Sequence, residues 1–191
     1  MNKIILEGEQ VKVIPLNMDY LHDLFEAGKS QDIWQYSSRG IKTLDDMRML
    51  ITDALSCKEN GTEYPFIIFD KSLQSVVGST RYLNIALNHR NLEIGWTWLS
   101  PNVWRTRVNT ETKYLLLKHA FEKLNIARVQ FKADVRNERS NRAIERLGAI
   151  REGRLRKDRI LGDGHIRDAY IYSIIDEEWM SVKEKLERIL M

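Results

Sequence analysis

Three strand-like segments follow one another with only short polar links, and the third runs through a turn straight into a helix. That order constrains the fold more than any other feature of the chain. Tyr64 to Phe69, Val76 to Ile85 and Asn91 to Leu99 are rich in aromatic and β-branched residues, and Asp70-Lys71-Ser72 and Asn88-His89-Arg90 between them are short enough for antiparallel hairpins. The third segment, apolar from Leu92 to Leu99, passes through Trp104-Arg105-Thr106-Arg107-Val108-Asn109-Thr110-Glu111 into an amphipathic helix expected over Thr110 to Leu124. A strand that turns directly into a helix aims unpaired backbone N–H groups outward, and the helix dipole adds positive charge there. With two arginines in the turn, the stretch reads as an anion site suited to phosphate. The competing reading is a basic surface loop capped by Asn109.

The remaining elements extend this core. Val11 to Leu16 alternates as a strand, and Asn17 is placed to cap a helix bearing Tyr20, Leu21, Leu24 and Phe25. Thr43-Leu44-Asp45-Asp46 opens a second helix with Met47, Leu50, Ile51, Ala54 and Leu55 on one face, ending near Asn60-Gly61. Ala127 to Val135 reads as a strand, Ser140 to Leu147 as a short helix stopped by Gly148, Glu152 to Ile160 and Ile166 to Ile174 as a hairpin around Gly162-Asp163-Gly164, and Glu177 to Leu190 as a closing helix. With 43% hydrophobic residues and no linker or repeat, the 191 residues are expected to form one α+β domain, 1–191.

Charge and cysteine content exclude several classes of function. A formal net charge of +3 does not demand nucleic-acid binding, although the pI near 8.9 leaves room for a local basic patch. The lone Cys57 excludes an intramolecular disulfide framework, and its charged helical neighbours do not suggest a nucleophile. His22, His89, His119 and His165 are scattered without ligand spacing, so no metal is expected. The apolar run at the N-terminus is too short for a signal peptide and no run approaches a membrane span, which points to a cytoplasmic protein.

Four pieces of sequence resemble the Gcn5-related N-acetyltransferase (GNAT) family, and within it the RimJ/RimL-like branch that acetylates ribosomal-protein N-termini. Val77-Gly78-Ser79-Thr80 is similar to the family's third strand, and Leu92 to Leu99 followed by Ser100-Pro101 to its fourth. Trp104 to Glu111 falls where the family has its pyrophosphate loop, while Asn137-Glu138-Arg139-Ser140 with Arg146-Leu147-Gly148-Ala149 resembles the helix that follows. The resemblance implies a mixed, mostly antiparallel, seven-stranded sheet with helices on both faces and an extra C-terminal helix. It also implies acetyl-CoA as cosubstrate, without metal, and an amine acceptor that is either a protein N-terminus or a small molecule. A homodimer is compatible with it; a membrane partner or direct nucleic-acid binding is not expected. The loop departs from the family pattern where the first glycine slot holds Arg107, so that residue must take helical angles or widen the loop.

The resemblance assigns roles residue by residue. Trp96, Thr97, Trp98 and Leu99 would offer backbone to pantetheine and polarise the thioester carbonyl; Trp104, Arg105, Thr106, Arg107, Val108, Asn109 and Thr110 would hold the phosphates; Asn137 would contact pantetheine. Ser140 matches the serine proposed in that branch to protonate the leaving thiolate, and its alternative is an ordinary N-cap. Glu93 is a candidate base acting through water. Alternation places it opposite Leu92, Ile94, Trp96 and Trp98 and beside Gly95 and Thr97, and its alternative is a strand glutamate paired with an arginine. Trp34 and Tyr36 are either walls of an acceptor cleft or core. Asp158, displaced by one residue from the branch's strand carboxylate, is a weaker candidate. The loop and carboxylate departures leave a second class open, a catalytically weak acyl-CoA-binding or regulatory protein.

Overall fold

The computed structural model describes residues 3–191. Eight strands form one sheet: β1 (Leu6–Glu7), β2 (Val11–Pro15), β3 (Tyr64–Asp70), β4 (Ser75–Ala86), β5 (Asn91–Leu99), β6 (Arg128–Asp134), β7 (Ile150–Ile160) and β8 (Ile166–Ile175), in the order β1-β2-β3-β4-β5-β6-β8-β7. Seven of these match the expected strands. The eighth, β1, pairs only Leu6 with Val13 and Glu7 with Lys12, too short to leave a periodic signal. Among the described residues five α-helices complete the fold: α1 (Leu21–Ala27), α2 (Leu44–Glu59), α3 (Val108–Glu122), α4 (Glu138–Leu147) and α5 (Asp176–Leu190). No helix among the described residues is long and apolar enough to cross a membrane.

Local chemistry sets the helix ends. At α2 the Thr43 hydroxyl accepts the Asp46 N–H at 3.1 Å while the Asp46 carboxylate accepts the N–H groups of Lys42 and Thr43 at 2.9 and 2.8 Å. Gly148, at φ 101°, ends α4 in the left-handed conformation that glycine takes without strain. The sheet separates two apolar layers. Leu21, Leu24, Met47, Leu50 and Ile51 of α1 and α2 pack on Ile67, Val76 and Trp98, whereas Leu116 and Leu117 of α3, Ile144 of α4 and Trp179 of α5 pack on Phe66, Tyr82, Leu92, Ile94 and Phe131.

Two departures from the sequence pattern shape the middle of the sheet. Strand β5 pairs with β6 in parallel only from Asn91 to Glu93 against Arg128 to Gln130, after which the strands separate. Just beyond, Trp96 takes φ 48° and the β4–β5 register shifts between Ser79 and Arg81, a bulge. A bulge reverses the alternation of faces. Leu92 and Ile94 therefore point to the α3 side while Trp96 and Trp98 point to the α1–α2 side, not to one common face. Thr97 crosses over as well and meets Lys113 of α3, so it does not share a face with Glu93 as alternation predicts.

Helix α3 is also not the two-faced helix expected. Thr110, Glu111, Thr112 and Lys113, four consecutive residues, are all buried, because the sheet, α5 and the β1–β2 turn enclose its first two turns. Glu111 is accommodated there by the amides of Glu9 and Gln10, which donate to its carboxylate.

Candidate active site

The gap between β5 and β6 opens into a cleft of about 670 Å³ that runs from the α1–α2 connection to the α3 N-terminus. Of the residues singled out in the sequence, Glu93, Trp96, Thr97, Trp98, Leu99, Trp104, Arg105, Thr106, Arg107, Asn109, Thr110, Asn137 and Ser140 line it. Val108 does not; its side chain is fully buried against Val11, Ile68, Val77, Leu99 and Val103, and its N–H donates to the Thr106 hydroxyl at 3.3 Å. Residues as far apart in sequence as Trp34 and Ser140 are thus brought to one cavity where two neighbouring strands separate.

The loop from β5 to α3 turns tightly. Trp104 donates its indole N–H to Leu99 O at 2.8 Å, and the Arg139 guanidinium of α4 lies 3.6 Å over its ring. The left-handed residue is Arg105, at φ 63°, whereas Arg107 in the glycine slot has φ −71° and ψ −17°, ordinary helical angles that need no glycine. No side chain caps the helix from residue 107; Asn109 lies inside the first turn and is not the cap that the alternative reading required. The positive end of the helix dipole, with the first-turn residues Asn109 and Thr110, thus faces the cleft mouth, while the Val108 N–H is taken by Thr106. Arg107 reaches across to Leu190 O at 2.7 Å, at the C-terminal end of α5, while Arg105 remains exposed at the rim.

Eight basic residues line the cleft, Arg105, Arg107, Lys113, Lys132, Arg139, Arg146, Arg159 and Arg167, against two acidic ones, Glu93 and Asp134. Asp134 is neutralised locally. Burial alone would raise its carboxyl, but the Arg136 guanidinium and N–H hold it below the usual carboxylate range. Lys132 and Arg167 share the carboxylate of Asp158, and the remaining cations still leave the cavity with an excess of positive charge, which suits a ligand with several phosphates. This helix end, the basic lining and the exposed edge of β5 fit an elongated ligand with several phosphates, as coenzyme A is.

Glu93 is 7% exposed and accepts from Asn84 Nδ2 at 3.2 Å and Gln130 Nε2 at 3.1 Å, both on one oxygen. It is held by two neutral amides and not by the arginine that the alternative reading supposed. Ser140 is not the N-cap of α4. That role falls to Asn137, whose side-chain oxygen accepts the Ser140 N–H at 3.0 Å. Ser140 lines the cleft. Trp34 belongs to both earlier readings: it is buried, its ring 5.3 Å from Trp98, and it lines the cavity next to Tyr36. Asp158 lies between Lys132 at 3.5 Å and Arg167 at 3.0 Å, outside the cleft lining, which does not suit a base.

Lys113 is not among the site residues that the sequence points to. Its Nζ donates to Thr97 Oγ1 at 2.5 Å and lies 5.8 Å from the Phe131 ring centroid, between the separating strands. Burial pushes its ammonium from the ordinary 10.5 down to about 7. The signal was present: Lys113 precedes Leu116, Leu117 and Ala120 at helical spacing, a lysine at a position of the inward face.

Residues 11–150 match the family described as acetyltransferase (GNAT) domain. The chain is 24% identical over 156 residues, 82% of this chain and 88% of the relative, to the uncharacterized N-acetyltransferase YnaD of Bacillus subtilis. It is 32% identical over 117 residues, 61% of each chain, to YdaF of the same organism, provisionally named a ribosomal N-acetyltransferase. Among solved structures, a protein of T. thermophilus provisionally named an acetyltransferase superposes with a TM-score of 0.89 at 39% identity, over 98% of this chain and 97% of that one.

Proposed function

Because this chain belongs to the GNAT acetyltransferase family and is an acyltransferase, we propose that it moves an acetyl group from acetyl-CoA to a primary amine by direct attack, with no covalent enzyme intermediate. The observation that carries this reading is the parting of β5 from β6 beyond Glu93, which leaves the bulged edge Trp96 to Leu99 open beside an uncapped helix N-terminus. Acetyl-CoA, when bound, supplies an activated thioester. Backbone N–H groups of the bulged edge polarise its carbonyl, the N–H groups of Arg105, Thr106, Arg107, Asn109 and Thr110 and the rim arginines hold phosphate, and Asn137 contacts pantetheine through the amide nitrogen that its capping bond leaves available. Glu93, with one oxygen fixed by Asn84 and Gln130, takes the amine proton through water, and the Ser140 hydroxyl is the proton source for the leaving thiolate.

The acceptor enters beside Trp34 and Tyr36, on the face that also carries Glu93. A protein N-terminus is the leading acceptor class, in keeping with the name given to YdaF, and a small amine is the alternative. The catalytically weak acyl-CoA-binding reading loses its first motive, since Arg107 fits its slot with helical angles. Calorimetric titration with acetyl-CoA and with dephospho-CoA tests the cofactor site. Saturable binding, weaker without the peripheral phosphate, supports it, and a panel of N-terminal peptides and small amines then reads turnover. No binding to folded protein would overturn the reading; binding without transfer to any amine would favour the weak binder.

A further inference from the structure

On the reading that the cleft binds the acyl-CoA thioester, we infer that Lys113 is a catalytic residue that receives the negative charge of the leaving sulfur. A lysine 5% exposed would ordinarily be paired with a carboxylate. Among the described residues no carboxylate comes within ion-pair distance of Lys113. The groups facing it are Thr97 of β5, Thr80 of β4 behind it at 2.8 Å from Thr97 Oγ1, and Phe131 of β6, none of them charged. Glu111, the nearest carboxylate in sequence, is turned away onto the amides of Glu9 and Gln10. The ammonium is therefore aimed, with its charge unmatched, at the place where β5 and β6 separate. It lies on the α3 side of Thr97, within the stretch of edge assigned to the thioester.

A buried cation without an anion is poised for one that arrives with the ligand or develops in the reaction. The amine nitrogen bonds to the thioester carbon, the carbon–sulfur bond breaks, and its electron pair leaves on sulfur. The amine proton departs toward solvent by way of Glu93. Lys113 pairs with the thiolate, so protonation of sulfur by Ser140 need not coincide with bond cleavage. In the empty cleft the amine is close to half ionised at neutral pH, so it can also take up the thiol proton itself and hold the same ion pair.

The test uses the full chain and CoA itself, with ultraviolet difference spectra reading the thiolate across a pH series. A free thiol ionises near 8.5, and an ammonium at close range should lower that by about 1–2 units. Wild-type protein should show bound thiolate at pH 7.5, and K113M should bind CoA with its thiol protonated. S-methyl-CoA, which cannot ionise at sulfur, separates the possible failures. In wild type the affinity ratio of CoA to S-methyl-CoA should rise several-fold from pH 6 to pH 8; in K113M it should stay flat. Thiolate in both proteins, or in neither, overturns the role of Lys113 while leaving the cofactor site standing. Binding of neither ligand by wild type removes both together. Thermal unfolding of K113M shows that the variant is folded, and replacing an uncompensated buried amine with an apolar side chain of similar length favours that.

Discussion

Replacing Lys113 with Met should change how stability depends on pH, and the direction follows from burial. The ammonium ionises near 10.5 in an open chain and near 7 in the fold. Below pH 7 the amine is charged in both states and the fold bears the full cost of the difference, about 5 kcal/mol at 1.36 kcal/mol per unit. Above pH 7 the folded amine loses its proton first, the unfolded chain binds more protons, and stability rises until the unfolded amine also deprotonates near 10.5. Between pH 7 and pH 9 the wild-type protein should therefore gain about 2–3 kcal/mol relative to K113M, in which this titration is removed. Urea unfolding of both proteins at pH 7, 8 and 9 reads the difference, and every other ionisable group cancels between them. K113M should be the more stable protein at pH 7, less about 1 kcal/mol for the lost hydrogen bond to Thr97. Parallel stability curves would mean that the amine is not desolvated as its 5% exposure implies, and the reasoning would fail.

Other consequences can be measured separately. Substituting Glu93 by Gln should leave acetyl-CoA affinity within about twofold while lowering transfer to an identified amine by about 100-fold or more, because Asn84 and Gln130 hold the side chain independently of its charge; an unchanged rate would remove Glu93 as base. Ala at Gly78 would place a Cβ 2.1 Å from Trp98 O, forcing β4 and β5 apart. G78A should cost about 1–3 kcal/mol in urea unfolding and also weaken CoA binding measured by calorimetry. Thr43→Ala removes one half of the α2 capping box and should cost about 1 kcal/mol in the same assay with no effect on CoA affinity. Arg105→Ala should weaken CoA binding about tenfold at low salt and have a smaller effect on dephospho-CoA; equal losses for both ligands would place the exposed guanidinium away from the peripheral phosphate.

Most of the fold was legible because it rests on local patterns. The capping signal at Thr43, the glycine at 148 and the aromatic and β-branched strand segments from Tyr64 to Leu99 each act over a few residues, and the structure keeps them as a cap, a helix end and three strands. The turn between β5 and α3 was legible for the same reason, being a strand end, a turn and a helix start in immediate succession. Errors arose where one residue altered what followed. A single bulge at Trp96 moved Trp96, Thr97 and Trp98 to faces opposite those predicted by strict alternation. The helix boundary lay two residues earlier than its apolar period, which took Asn109 out of the cap and buried Val108.

What the sequence by itself determined was the order of elements, the strand-to-helix turn with its arginines, and the glycines and caps that punctuate them, because backbone propensity and hydrophobic period are properties of neighbours. What only the tertiary structure decided was which side chains meet. The carboxylate of Glu93 is held by amides from β4 and β6, Asn137 is taken up by the helix it begins, and Lys113 is enclosed between two strands with no acid to pair with among the described residues. None of those relations is encoded at a fixed spacing. They depend on where β5 parts from β6, a balance of packing against α3 on one face and α1 and α2 on the other that only the assembled sheet can set.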